Sequence, residues 1–183
     1  MKQPEHPTIA VVTGDVTALD CDVLVLKYAQ AFFGVDKIVA GLLGLLGTDV
    51  DIPPGKHLLV PSQGKLACGQ VMFLGVATLF DFRYAQIRAF ARDALLAIAD
   101  TAPNARTIGM TMHGVGYGLD ESEAFAAQAG GLLDFFCDGT RLAAKADYRR
   151  RKRSQQVPED QIDPRRDPPE SQPLLRHGGC SEP

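Results

Sequence analysis

The sequence predicts an α/β fold, a layered sheet covered by helices on both faces. Three observations lead there. Apolar, β-branched runs recur along the chain and are continuous rather than alternating, the pattern of strands buried on both sides. Segments of helical period lie between them. The runs end at glycines or turn residues that lead into those helices, so strand and helix alternate.

Taken in order, "TIAVVTG" (Thr8 to Gly14) reads as a short buried strand ending at glycine, and "CDVLVLKY" (Cys21 to Tyr28) as a second. "VDKIVAGLLGLLG" places Ile38, Val39, Leu42, Leu43 and Leu46 on a helical period closed by Gly47. Two short strands follow, around His57 to Val60 and Gln70 to Val76, separated by a turn at Gly64. Asp81 to Ala102 is the strongest helix, with Ile87, Phe90, Ala91, Ala94, Leu95 and Ile98 in one apolar stripe. "ARTIGMTMHG" is the next strand, and "ESEAFAAQAGGLLDFFCDG" a helix ended by Gly139.

The 183 residues suit one domain with an appended segment. A hydrophobic fraction of 45% and a charged fraction of 22% supply material for a core. The net charge of −3 gives no electrostatic footprint for nucleic acid, so no nucleic-acid partner is expected. No apolar run is long enough to span a bilayer, and the N-terminal stretch has no signal-type apolar region. Four scattered cysteines without a C-x-x-C pair read as reduced thiols rather than a metal site. The expectation is a cytoplasmic protein with no cofactor, no metal and no membrane partner.

From Ala146 the composition changes: half of the 12 prolines and dense charge of both signs leave little apolar surface to offset ordering entropy. The expected organisation is an α/β domain over residues 1–145 and a disordered Pro/Arg-rich tail over 146–183. The break also supports the hypothesis that the chain is a module of a longer protein, or reads in an altered frame after about Cys137. Sequencing the locus tests it: no downstream domain in any frame overturns it.

Two loops lead from strand ends into helices, where α/β sheets bind ligands. One is "YAQAFFGVDK" and the other "HGVGYGLD". The alternating glycines Gly114, Gly116 and Gly118 permit positive φ and let backbone N–H groups approach an anion. Asp120 with Glu123 forms a D-x-x-E capping box, and the helix dipole beyond favours a diphosphate. The same glycines equally serve a tight strand-to-helix turn, because G-x-G-x-G here is not the dinucleotide fingerprint. His113 stands just before them, where a general base is often found, but no nucleophile or metal partner is recognisable nearby. A structural or ligand-contacting histidine is the better reading. Asp15 fits a turn residue and a ligand contact alike.

Two motifs together resemble the macro domain family. "VVTGDVTALDCDVLVL" is similar to its opening, and "HGVGYGLDESEAF" to its second glycine loop; "FFGVDKIVAGLLG" is similar to its G-V-D helix start. The resemblance covers Thr8 to about Gly139. It implies a three-layer α/β/α sandwich with a mixed sheet that binds ADP-ribose or a related nucleotide. By the same resemblance Asp15 would accept the adenine amino group, and Phe33, Gly34 and Val35 would line one side of the diphosphate. His113, Gly114, Val115, Gly116 and Gly118 would line the other, with Tyr117 near the distal ribose.

Where many macro domains carry N-A-A-N, this chain has "KYAQAFF", without the asparagine that hydrolytic members use. The related macro-like N-terminal domain of leucine aminopeptidases fits a non-catalytic version. The expectation is therefore a non-catalytic nucleotide or ADP-ribose-type binding module. The alternatives are an ADP-ribosyl hydrolase assisted by His113 or Asp36, and a ligand-free interaction domain whose cleft Phe32 and Phe33 fill. The expected partners are ADP-ribose or a related nucleotide, and a protein partner or a missing downstream domain.

Overall fold

A computed structural model of the protein describes residues 7–115 and 117–155, the side chains only as far as residue 138. Contacts divide the chain into Met1–Arg141 and Leu142–Pro183. Among the described residues four strands form one mixed sheet: β1 (Val23–Tyr28), β2 (His57–Pro61), β3 (Gln70–Gly75) and β4 (Ile108–Met110). Three α-helices among the described residues accompany it: α1 (Gly34–Leu42), α2 (Tyr84–Thr101) and α3 (Glu121–Gln155).

The strand order is β2-β3-β1-β4. β1 is central and parallel to both neighbours, with Val25 opposite Met72 on one side and Met110 on the other. β2 runs antiparallel to β3, which makes the sheet mixed. The continuous apolar character of β1 and β3 follows from burial on both faces. One core holds Val23, Val25 and Met72 with Ile87, Phe90 and Ala94 of α2 and Ala124 of α3. The other holds Leu24, Leu26 and Phe73 with Val39 and Ala40 of α1.

All six stripe residues of α2 are buried. Each large side chain among them contributes about 1.5–3 kcal/mol by leaving water.

Three expectations are corrected. Thr8 to Gly14 forms no strand, and Ile9, Val11 and Val12 are exposed at 47%, 70% and 69%. An apolar run signals a wish for burial, but a strand needs a ladder partner. Among the described residues this run pairs with neither outer edge of the sheet, that of β2 or that of β4.

α1 ends at Leu42 rather than Gly47, and it buries Asp36, Val39 and Ala40 while Ile38 and Leu42 remain exposed. α3 does not end at Gly139 but runs to Gln155. The residues after Gly139 are mostly strong helix formers, and no proline occurs before Pro158, so one glycine does not stop the helix. Residues 146–155 of the expected tail thus belong to a helix, and 156–183 lie outside the described residues. Among the described residues no helix is long and apolar enough to cross a membrane.

Candidate functional site

β1, β3 and β4 are mutually aligned, so their C-terminal ends share one edge of the sheet. Each end leads through a loop into the N-terminus of a helix: β1 into α1, β3 into α2 and β4 into α3. Backbone N–H groups and the positive ends of the helix dipoles therefore gather at that edge.

On the β1 side, Gln30 turns the chain with φ of 60°. Phe32 packs inward, its ring centroid 5.0 Å from those of Tyr28 and Phe73. It belongs to the core beneath α1. Phe33 is the residue before α1 and is 39% exposed, Gly34 opens the helix and Val35 is half-buried. Asp36, in the first turn, is buried and takes a 2.7 Å ion pair from Lys27 Nζ near the end of β1. Burial raises the Asp36 carboxyl above the usual carboxylate range, and the Lys27 ammonium opposes that rise.

On the β4 side, His113 is 2% exposed, with the Phe90 and Phe82 rings edge-on at 4.6 and 5.8 Å. Burial, aided by the Lys27 charge, lowers its pKa to about 3, so the imidazole is neutral over the ordinary pH range. Gly114 follows with φ of 89°, and its carbonyl accepts from Tyr117 N at 3.1 Å, closing a turn. Val115 and Tyr117 are exposed, and Gly118 has φ of 81°. Gly116 lies outside the described residues.

Asp120 Oδ1 caps α3 by accepting from Glu123 N at 3.0 Å. The reciprocal half of the capping box is replaced: Asp120 N donates to the Tyr84 hydroxyl at 3.0 Å.

Asp15 sits in a turn of its own before β1. Its carboxylate accepts from Thr17 N and Thr17 Oγ1, capping a short 3-10 helix at Val16–Ala18. Those two bonds hold it below the usual carboxylate range. The Thr17 carbonyl accepts from Ala67 N, ahead of β3, so this turn is tied to residues entering the sheet rather than leaving it.

Sequence reasoning missed Lys27. A lysine inside a continuous apolar strand was the signal, since a buried cation requires a counter-charge. Among the described residues Asp36 Oδ1, Thr111 Oγ1, His113 Nε2 and Gln128 Oε1 are buried without a hydrogen-bond partner. No group of three or more His, Cys, Asp or Glu side chains suited to a metal occurs among the described residues.

No protein-family model matches the sequence, and no curated protein does. Solved structures do match. A mutant macrodomain from Oceanobacillus iheyensis superposes with a TM-score of 0.50 at 16% identity, over 67% of this chain and 73% of that one. The macrodomain of Mycobacterium tuberculosis DarG gives 0.50 at 17% identity, over 70% of this chain and 92% of that one. The protein has a divergent macrodomain-like α/β fold.

Proposed function

We propose that the protein is a cytoplasmic binding module that holds a nucleotide of the ADP-ribose type and does not hydrolyse it. The observation that carries this is the shared edge: the Gly34 turn between β1 and α1 and the turn of Gly114 and Gly118 between β4 and α3 follow the ends of two adjacent parallel strands. Both present helix N-termini suited to a diphosphate. Phe33, Val35, Val115, Gly116 and Tyr117 complete that lining in this reading. The macrodomain-like fold supports the ligand class. Asp15 enters through the sequence resemblance alone.

The non-catalytic part rests on two side chains. Asp36 is buried against Lys27, and His113 is buried and neutral, so neither carboxylate nor imidazole is free to activate water. The free buried thiols of Cys21 and Cys68 support a reducing compartment.

The test is thermal denaturation of the full chain with ADP-ribose, NAD, ADP and ATP, beside Asp15→Ala. Ligand at 100 times its Kd should stabilise by about 2.7 kcal/mol, raising Tm by roughly 5–11 °C for a chain of this length. A shift abolished by Asp15→Ala puts the base at Asp15. A shift that survives puts it elsewhere. No shift with any nucleotide overturns the reading and favours a protein-interaction domain, for which the exposed Phe125, Leu133 and Phe136 of α3 speak. Release of ADP-ribose from a modified protein would establish the hydrolase instead.

A further inference from the structure

The segment between β3 and α2 forms a third border of the same edge. It starts where Val76 N donates to Tyr28 O at 2.9 Å, extending the β1–β3 ladder to its end. It finishes where the Tyr84 hydroxyl accepts from Asp120 N, beside the glycine turn. The path from Val76 to Tyr84 therefore runs from the end of β3 to the loop that follows β4.

This segment is held in shape. Thr78 Oγ1 donates to Asp81 Oδ2 at 2.7 Å, Asp81 N donates back to Thr78 O at 3.0 Å, and Phe82 is buried against Phe90 and His113. Between these anchors Phe80 is turned outward and 80% exposed, the most exposed large apolar side chain described. The Arg83 guanidinium carbon lies 5.7 Å from the centre of its ring, and Arg83 has no carboxylate partner among the described residues.

An aromatic displayed on a braced loop beside an unpaired cation suits a ligand that is planar at one end and anionic next to it. The ring offers a stacking face, and the guanidinium offers charge and a fork of donors for phosphate. Asp15 is a poorer candidate for the planar end. Its Oδ1 already accepts both Thr17 donors, and its turn is tied to the approach to β3 rather than to the strand ends that lead into the helices.

We propose that Phe80 and Arg83 are the base-recognition element of this edge: the base of a nucleoside diphosphate stacks on Phe80, and Arg83 neutralises the phosphate beside it. This rests on the nucleotide-binding reading above and names which residues read the ligand.

Calorimetric titration of the full chain with ADP and with inorganic pyrophosphate tests it, using wild type, Phe80→Ala, Phe80→Tyr and Arg83→Gln. Loss of one stacking partner should weaken ADP by roughly 5- to 150-fold. Pyrophosphate should be unaffected by Phe80→Ala, and Phe80→Tyr should keep the wild-type preference for ADP. Arg83→Gln should weaken both ligands and flatten their salt dependence. Unchanged ADP affinity in Phe80→Ala overturns the proposal and leaves the nucleotide reading standing, as does an equal loss for both ligands. Failure of wild type to bind either ligand overturns both.

Discussion

Lys27 and Asp36 are joined by a 2.7 Å ion pair in which the carboxylate is 1% exposed, linking the end of the central strand to the first turn of the helix that follows. Removing one partner strands the other charge in the interior. Lys27→Met should therefore destabilise the fold by about 3–5 kcal/mol, whereas Lys27→Met with Asp36→Leu should recover most of that loss. The pH dependence has a definite sign. Burial holds the Asp36 carboxyl above its unfolded value, and Lys27→Met removes the group that opposes this. A raised folded value gives stability that is present below the unfolded pKa and lost as pH rises through the folded one. The single variant should stand closer to wild type in acid than at neutral pH. Urea denaturation at the two pH values checks this, and a single-variant cost below about 1 kcal/mol contradicts the buried-pair account.

His113 gives the opposite pH signature. Its folded pKa is about 3, against an ordinary value of 6.5. The unfolded chain therefore takes up the proton first. The contribution is fully present above pH 6.5 and is lost as pH falls toward 3. At 1.36 kcal/mol per unit the loss reaches about 5 kcal/mol at most. His113→Gln should flatten this acid limb while costing packing against Phe82 and Phe90 at every pH. Stability curves with the same slope for both proteins between pH 6 and 4 would show that His113 is not the group responsible.

The parts of this fold that were legible are those in which sequence pattern and burial coincide. β1 and β3 are covered on both faces, so their apolar runs are continuous, and the α2 stripe names its buried residues one by one. The glycine turn was legible as a turn because positive φ at Gly114 and Gly118 leaves few other residues suitable. The strand at Thr8 to Gly14 failed because apolarity reports a preference for burial and says nothing of a partner. Lys27 and Asp36 are nine residues apart on different elements, and only the packing of α1 against the strand end brings them together. Phe80 was not singled out because an aromatic in an apolar stretch reads as core by default.

The two described glycines of the turn after β4 should respond differently to alanine. Both have positive φ, so either substitution carries backbone strain of order 1 kcal/mol or more. At Gly118 an added Cβ meets nothing within 4 Å. At Gly114 it would lie 2.6 Å from Leu119 Cδ1 and 3.1 Å from Ile87 Cδ1, inside the packing beneath the turn. Gly114→Ala should therefore cost about 1–3 kcal/mol more than Gly118→Ala. Equal costs in thermal denaturation would mean that the turn rides above the core rather than resting on it.

Adjacent glycines in α3 offer a sharper contrast, one of sign. In a helix interior, replacing glycine with alanine gains about 1 kcal/mol of propensity unless the new methyl has nowhere to go. At Gly130 the methyl would approach only the Arg88 guanidinium, 3.3 Å away at the end of a long exposed side chain that pairs with Asp134. At Gly131 it would run into the Arg88 carbonyl and the Ala91 methyl, backbone and core atoms of α2 that cannot move without parting the two helices. Gly130→Ala should accordingly leave the protein neutral or slightly more stable. Gly131→Ala should destabilise it by about 1–3 kcal/mol, the usual cost of overpacking a well-filled contact. Urea midpoints that move the same way for both variants would mean that α2 and α3 do not meet at Gly131 as closely as this packing requires.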